Sequence, residues 1–256
     1  MFNYGYNNEL DFVKSLNNKR VRFLNPFLKD IVFRAFKESP RSLAKVQAKK
    51  LENFEKADIS ITLNGVTKYI SIKSGHSTYI HSCYLKDFIL YLREMGISME
   101  TQKAIVLYHY GDGTYDGTGK QRYDYQTVIS KYRDVIKRAN EELANKKIVT
   151  KIVDRFVFGA DDSQNHVVDY LLMGYIEHGI IVSRQDVLRF VNKKSFGYII
   201  APHVGPLHLQ PYLRDIERRS NNPEKRKIIK LEWKNIEADL STINNNKVRT
   251  NDDFFS

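Results

Sequence analysis

Apolar and polar residues alternate along two short stretches of the chain, residues 57–63 and 66–73, on either side of Asn64-Gly65. Alternation of this kind predicts strands, and Asn-Gly is a preferred dipeptide for the two-residue type I′ turn of a hairpin. In such a hairpin Leu63 faces Val66, and one face carries mainly apolar side chains. These side chains belong to Ala57, Ile59, Ile61, Leu63, Ile70 and Ile72. The pattern therefore predicts a hairpin that packs one face against a core.

The remaining periodicity predicts helices and strands in a mixed order. Asn25 followed by Pro26 is a typical helix start, and it predicts a helix over residues 26–38 after a first helix over 8–17. Further helices are expected over residues 42–54, 82–95, 125–145, 166–176 and 187–192. Strands are expected over residues 104–108, 198–201 and 226–233, with a helix over 222–240 as the alternative to the last strand. This order predicts an α/β fold in which helices flank a mixed central β-sheet, followed by an α/β C-terminal extension.

Composition indicates a globular protein without a membrane segment. Hydrophobic residues make up 42% of the 256 residues. No stretch approaches the roughly 18 consecutive apolar residues that a membrane-spanning helix needs. The N-terminus lacks a basic region followed by an apolar stretch, so no secretion signal is expected. Cys83 is the single cysteine, which excludes an intramolecular disulfide, and we therefore expect a cytoplasmic protein.

The net charge of +11 is concentrated in several basic clusters. They lie at residues 19–22, 45–50, 146–151 and 218–227. Together they favour a polyanionic partner, because neutralisation of phosphates supplies most of the non-specific affinity of proteins for nucleic acids. No cluster lies on an obvious amphipathic helix with aromatic residues at its edge, so a membrane surface is the weaker alternative. Each cluster taken alone is more often simply a solvated surface.

The polar face of the hairpin carries residues that suit the hydrolysis of phosphodiesters. Asp58 lies opposite Ser71, and Lys73 lies two residues further along on the same face. Such hydrolysis needs a metal ion to activate water and a cation near the nucleophile. Asp58 and the carbonyl oxygen of Ile72 can hold the metal, and Lys73 can orient the water or help to deprotonate it. The alternative is an ordinary ion pair on a half-exposed hairpin.

Asp58, twelve further residues and then Ser71-Ile72-Lys73 across a hairpin resemble the PD-(D/E)xK nuclease superfamily, to which most type II restriction endonucleases belong. The resemblance covers roughly residues 26–110, through the order helix, hairpin, helix and strand. It implies a Mg²⁺ site at Asp58 and a water-positioning lysine at Lys73. Ala57 departs from the family, which often has proline at this position.

Ser71 is the more important departure, because the family usually has a second acid there. Some restriction enzymes with serine or threonine at this point supply the acid from the following helix, about fourteen residues after the lysine, and here that residue is Asp87. The resemblance therefore implies Asp58 and Asp87 as metal ligands. Glu52 and Glu55 are the alternative acids. Ser71 is then a hydrogen-bond partner of Asp58 or of a metal-bound water.

Five residues near the hairpin or in basic segments are candidate nucleic-acid contacts. They are His76, His81, Lys120, Arg122 and Arg184. Residues 111–120 match the spacing of neither a phosphate-binding loop nor a calcium loop, so a plain loop is the alternative there. His76, His81 and Cys83 make a weak zinc set, since a fourth ligand is lacking. Arg184 lies in a candidate helix-turn-helix over residues 180–192.

These observations predict a Mg²⁺-dependent endonuclease of double-stranded DNA, most simply a type II restriction enzyme. Residues 1–155 would form the nuclease core with its N-terminal helices, and residues 156–256 would serve DNA recognition or dimer contacts. Cleavage of palindromic duplexes favours a two-fold homodimer. One alternative is a repair or junction nuclease. The other is a non-catalytic DNA-binding protein that keeps a decayed nuclease fold, which the serine at position 71 would allow.

Overall fold

The computed structural model describes residues 4–52, 56–75, 77–119, 121–161, 166–197, 200–216 and 222–252. The helices are α1 Tyr4–Leu16, α2 Pro26–Phe36, α3 Leu85–Glu94, α4 Met99–Tyr110, α5 Tyr125–Leu143, α6 Lys146–Phe158, α7 Arg184–Lys193, α8 Leu213–Ile216 and α9 Ile236–Asp252. The strands are β1 Gln47–Lys50, β2 Ile59–Leu63, β3 Val66–Lys73, β4 Tyr79–Tyr84, β5 Tyr170–Gly174, β6 Gly179–Ser183, β7 His203–Val204, β8 Leu207–Pro211 and β9 Ile228–Trp233. Short 3-10 helices cover Val21–Phe23 and Pro223–Lys227. The mixed α/β class expected from the sequence is confirmed.

The chain divides into two compact units, and each unit is assembled from separate segments. Unit 1 comprises residues 1–77, 157–190 and 236–256, and unit 2 comprises residues 78–156 and 191–235. The sequence had suggested a single division at residue 155. A linear division does not describe the structure, because β3 near residue 70 pairs with β5 near residue 170. The segment between β3 and β5 contributes β4 to the second sheet, and the other strands of that sheet follow β6 in the chain.

Unit 1 is built on a mixed five-stranded sheet with the order β1-β2-β3-β5-β6. The expected hairpin is confirmed, since Leu63 pairs with Val66 and Ile59 pairs with Ile70. Asn64 and Gly65 have φ values of 50° and 80°, as a type I′ turn requires. Strands β3 and β5 run parallel, whereas the other neighbouring pairs run antiparallel.

The apolar face of the hairpin lies in the core of unit 1, as its alternation predicts. Ile59, Ile61, Leu63, Ile70 and Ile72 are all buried, and so is Ala57. They share a cluster with buried residues of α1 and α2, among them Phe12, Leu16, Leu28 and Ile31. Helix α2 begins where the sequence indicates, because the side chain of Asn25 accepts a hydrogen bond of 2.8 Å from the Leu28 N–H.

Unit 2 contains a second sheet, which is antiparallel throughout and has the order β4-β9-β8-β7. Helices α4 and α5 pack against each other through Tyr108, Val128, Tyr132 and Ile136. The helix expected over 125–145 is confirmed as α5. The strand expected over 226–233 is confirmed as β9, and the alternative of one helix over 222–240 is wrong.

Two expected elements have the opposite secondary structure. Residues 104–108 were expected as a strand but lie within α4, because a short apolar run cannot by itself distinguish a buried strand from a buried helix. The Ser98 side chain caps this helix and Gly111 ends it with φ 61°, so capping residues were present in the sequence. Residues 166–176 were expected as a helix but contain β5, in which consecutive residues Leu171 and Leu172 are fully buried. A strand that is buried on both faces of its sheet carries apolar residues at consecutive positions, so it lacks the alternation by which strands are recognised.

Two other helices were misplaced by local propensity. Residues 42–54 were expected as a helix, but residues 47–50 form β1 and pair with β2. Lysine, alanine and glutamine favour helices, and pairing with a sheet edge overrides that weak preference. The helix expected over 82–95 begins only at Leu85, because residues 79–84 pair with β9. The strand expected over 198–201 falls partly outside the described residues, and residues 200–201 are not in a strand.

The segment after β6 agrees with the expected helix start. The Ser183 hydroxyl accepts a hydrogen bond of 3.2 Å from the Asp186 N–H and donates one of 2.6 Å to the Asp186 carboxylate. This reciprocal pairing starts α7 at Arg184. Within the described ranges, no helix is long and apolar enough to cross a membrane.

Candidate functional site

The carboxylate of Asp58 is oriented by the opposite strand of the hairpin. The Ser71 hydroxyl donates a hydrogen bond of 3.1 Å to Asp58 Oδ2, and the Ile72 N–H donates one of 2.5 Å to the same oxygen. The Asp58 N–H in turn donates to the carbonyl oxygen of Ile70 at 2.9 Å. Within the described residues both side-chain hydrogen bonds end on Oδ2, which leaves Oδ1 as the oxygen that can face a cation. Asp58 and Ser71 therefore share the polar face, as the register predicts.

A residue of α1, Glu9, joins this site although the sequence gave no indication of it. The side-chain amide of the preceding residue, Asn8, donates a hydrogen bond of 2.9 Å to the carbonyl oxygen of Gly174. Gly174 follows Met173, which pairs with Lys73 at the end of β3. This contact anchors α1 to the end of β5, the strand that pairs with β3.

The charged groups that shift the pKa of Glu9 are its electrostatic neighbours. Burial raises this pKa, a hydrogen bond from Lys50 opposes the rise, and the negative charge of Asp58 raises it further. The positive charges of Lys50 and Lys73 lower it. Glu9 also forms an ion pair with Lys50. Glu9 therefore lies within electrostatic range of Asp58 and Lys73, and its direct partner is Lys50.

Lys56 adds a further cation to the cluster. Burial and, to a smaller extent, the positive charge of Lys73 lower the pKa of its ammonium group to about 7, whereas Asp58 opposes the shift. The cluster thus contains two carboxylates, those of Glu9 and Asp58, and the ammonium groups of Lys50, Lys56 and Lys73. Because Lys56 is partly neutral near pH 7, the site is less positive than its residue count suggests.

The donor set of the cluster fits a magnesium ion. Mg²⁺ is usually bound by one or two carboxylates and keeps several of its waters, so it does not need a cage of protein ligands. Glu9 and Asp58 supply two carboxylates, and the backbone at Ile72 lies beside them. Among the residues that the structure describes, no group of three or more His, Cys, Asp or Glu side chains is arranged to hold a metal ion. The residues therefore suit a weakly held, largely hydrated cation rather than a structural metal.

The other predicted metal ligands are Asp87, Glu52 and Glu55. Asp87 belongs to unit 2, where it is exposed in the first turn of α3. Glu52 is exposed just after β1. Glu55 lies outside the described residues. Ser71 has only 1% of its surface exposed, and its hydroxyl is committed to Asp58.

Two residues expected to contact nucleic acid, Arg122 and His81, contact other parts of the protein. Arg122 is buried, and its Nη1 donates hydrogen bonds of 2.7 Å to the carbonyl oxygens of Tyr108 and His109 at the end of α4. This corrects the expectation of a solvent-facing arginine, because the guanidinium satisfies carbonyls that the helix end leaves without partners. His81 packs its ring against Phe156 with centroids 5.3 Å apart, and it remains half-buried.

The remaining expected contacts are less defined. Arg184 begins α7, and its N–H donates to the carbonyl oxygen of Asp169 at 2.9 Å. His76 and Lys120 lie outside the described residues, and so does part of the weak zinc set. In comparisons with known proteins, no family model and no curated protein matches the chain.

Proposed function

We propose that the chain is a divalent-metal-dependent endonuclease that hydrolyses phosphodiester bonds of double-stranded DNA. The observation that carries the proposal is the cluster of Asp58, Lys73 and Glu9 at one end of the hairpin. Two carboxylates beside a lysine, with one carboxylate fixed by a hydroxyl and a backbone N–H, are the groups that metal-assisted hydrolysis of a phosphodiester requires.

The residues of the cluster would divide the work as follows. Asp58 and Glu9 would hold Mg²⁺, which when bound activates a water and neutralises charge that develops on the phosphate. Lys73 would hydrogen-bond the attacking water and orient it towards phosphorus, while the bond from phosphorus to the leaving oxygen breaks. Ser71 and the Ile72 N–H would keep the Asp58 carboxylate in one orientation. The ion pair of Glu9 with Lys50 would open when the cation binds.

One strand pairing in unit 1 supports the resemblance to the PD-(D/E)xK nucleases. The resemblance implies the order helix, hairpin, helix and strand. In the structure α2 and the β2–β3 hairpin are followed along the chain by residues 78–156 of unit 2 and then by β5, which pairs in parallel with β3. The parallel strand thus comes about sixty residues later than expected, and the helices between the hairpin and β5 lie wholly or mostly in unit 2.

The substrate is proposed from charge. A net charge of +11 favours a polyanion, and a duplex presents the densest line of phosphates. A type II restriction role would require two copies of the chain on a palindromic site, so we propose a homodimer. Light scattering with and without a duplex would test this stoichiometry. A role in repair or at junctions would instead show as cleavage of damaged or branched DNA.

The test is cleavage of a supercoiled plasmid in Mg²⁺ and in EDTA. We expect the wild-type chain to cut only in Mg²⁺, and Asp58→Asn and Lys73→Ala each to lose at least about a hundredfold in rate, since the metal and its partners supply several kcal/mol. Lys68→Ala is the matched control, because Lys68 lies on the same strand and pairs with Asp169 at 3.1 Å. This variant is expected to cut normally.

Two results would overturn the proposal. Cleavage that persists in Lys73→Ala would place the active site elsewhere. A wild-type chain that retards DNA on a gel but leaves it intact in both Mg²⁺ and Mn²⁺ would favour the second candidate, a non-catalytic DNA-binding protein. The ion pair between Glu9 and Lys50 is the observation that favours this second candidate, because it engages a carboxylate that the metal would need.

A further inference from the structure

Unit 2 contains a groove that the hairpin chemistry does not use. It lies between the start of α3, the end of α4, the loop after α4 and the 3-10 helix before β9, and its volume is about 670 Å³. Volumes of roughly 300–1,000 Å³ are typical of sites for small organic ligands. The lining residues that matter below are Tyr84, Lys86, Tyr110, Asp116, Glu224 and Arg226.

Arg226 supplies a donor that lacks a partner. Its Nη2 donates a hydrogen bond of 3.1 Å to the carbonyl oxygen of Gly117. Its Nε is buried, and no described residue accepts a hydrogen bond from it. Because Nε is buried, a ligand in the groove would meet this guanidinium through its positive charge rather than through this N–H. Phosphate is the acceptor that a guanidinium matches best.

Two further features make the same end of the groove positive. Helix α3 begins at Leu85, and the side chain of the preceding Tyr84 does not cap its first N–H groups. Lys86 lies in this first turn and lines the groove. The helix dipole, the lysine and Arg226 together favour an anion here.

Two tyrosine rings line the groove beside these cations. Tyr84 is 43% exposed, and the Lys86 ammonium lies 5.6 Å from the centre of its ring. Tyr110 is about half-buried, and burial raises the pKa of its hydroxyl while the charge of Arg226 opposes the rise. An exposed tyrosine is a surface on which a nucleobase stacks, and here the base would use the ring face that Lys86 does not cover.

Acidic residues restrict how many phosphates the groove can hold. Asp116 accepts hydrogen bonds from the Thr118 N–H and hydroxyl, which lower the pKa of its carboxyl. Glu224 pairs with Lys227 at 2.8 Å. These carboxylates would repel a polyphosphate, whereas they can accept hydrogen bonds from the amino group of a base. One phosphate with one base suits the balance of charges.

We propose that this groove binds a nucleoside monophosphate unit, either as a free nucleotide or as one nucleotide of a single strand. The phosphate would lie against Arg226 and the start of α3, and the base would stack on Tyr84. The site belongs to unit 2 alone and does not rest on catalysis at the hairpin. A nuclease with such a groove would hold an unpaired nucleotide of its substrate.

The test is fluorescence anisotropy of a labelled 15-nucleotide deoxyoligonucleotide in EDTA, together with calorimetry of deoxycytidine 5′-monophosphate. The variant Tyr84→Ala/Lys86→Glu removes the ring and reverses the charge. The matched control is Tyr115→Ala/Lys103→Glu, in which an exposed tyrosine and a lysine 5.9 Å from its ring lie outside the lining of the groove. Both variants change the charge equally. If the groove variant does not fold, Lys86→Glu alone replaces it and Lys103→Glu alone becomes the control.

We expect the groove variant to bind at least about tenfold more weakly, whereas the control stays within about twofold of wild type. Binding of the oligonucleotide identifies a strand as the ligand, and binding of the monophosphate alone identifies a free nucleotide. Equal weakening in both variants, or no binding of either probe by wild type, overturns the proposal. Plasmid cleavage does not enter this experiment, so its result is independent of the function proposed for the hairpin.

Discussion

The Ser71 hydroxyl donates a hydrogen bond to Asp58 across the hairpin, at 3.1 Å from Oδ2, while only 1% of the serine is exposed. Ser71 stands where the resembling nucleases usually carry a second acid. A carboxylate in this buried place would face Asp58 directly, and two negative charges there would repel each other. The hairpin instead orients one carboxylate with a neutral donor, and we propose Glu9 of α1 as the second carboxylate.

Ser71→Ala removes the hydroxyl donor but keeps the hydrogen bond from the Ile72 N–H. We expect the free energy of unfolding to fall by about 1–2 kcal/mol, because the lost bond goes to a charged acceptor. Cleavage should fall less than in Asp58→Asn, since the metal ligand itself remains. Urea unfolding and plasmid cleavage measure the two effects. Ser60→Ala on the neighbouring strand is the control, and equal losses in both variants would argue against a specific role of Ser71.

Glu9→Gln and Asp87→Asn compare the two candidates for the second acid. We expect Glu9→Gln to slow Mg²⁺-dependent cleavage by about a hundredfold or more, because it removes a metal ligand. Asp87→Asn should cut at nearly the wild-type rate. Lys50→Met breaks the same ion pair as Glu9→Gln but keeps the carboxylate, so it should retain cleavage. The opposite ranking of Glu9→Gln and Asp87→Asn would assign the acid to α3.

His109 is expected to make stability depend on pH. Burial lowers the pKa of its ring from 6.5 to about 4, and Nε2 donates a hydrogen bond of 2.8 Å to the carbonyl oxygen of Arg226. Between pH 6.5 and pH 4 the unfolded chain binds more protons at this residue than the folded chain does. The free energy of unfolding therefore falls as the pH falls. The contribution of His109 is complete above about pH 6.5, and by pH 4 roughly 3 kcal/mol would be lost.

Urea unfolding at pH 7 and at pH 4.5 tests this expectation. His109→Gln keeps a donor but cannot titrate, so its free energy of unfolding should fall less than that of wild type over this range. His178→Gln serves as the control because His178 is exposed. A loss in His109→Gln as large as that in wild type would show that other groups cause the acid sensitivity.

Arg122→Met should destabilise the protein without weakening nucleic-acid binding. The guanidinium is buried and donates to two carbonyl oxygens at the end of α4, so its removal should cost about 3 kcal/mol. Arg133→Met is the matched control, since Arg133 is exposed on α5. Urea unfolding gives the stability difference, and gel shift gives the affinity for a duplex. If Arg122→Met lost as much affinity for the duplex as Arg133→Met or more, Arg122 would have to be counted among the nucleic-acid contacts.

The predictable parts of the fold are those that neighbouring residues specify. The turn at Asn64-Gly65, the register of the hairpin and the capping of α2 by Asn25 were all correct, because each depends on contacts within a few residues. The strand predicted over residues 104–108 was wrong because an apolar run fits a buried helix and a buried strand equally well. The helix predicted over residues 166–176 was wrong because this segment forms β5, whose partner strand β3 lies about a hundred residues earlier in the chain.

The sequence by itself determined one half of the candidate site. Asp58, Ser71 and Lys73 share a face because strand alternation and a two-residue turn fix their positions. Tertiary structure alone decided the other half, since α1, anchored by Asn8 to the carbonyl oxygen of Gly174, brings Glu9 within electrostatic range of Asp58. A contact between α1 and β5 spans more than 160 residues, and no local spacing encodes it. Local sequence therefore determines the hairpin, whereas tertiary packing positions Glu9, the second carboxylate of the candidate site.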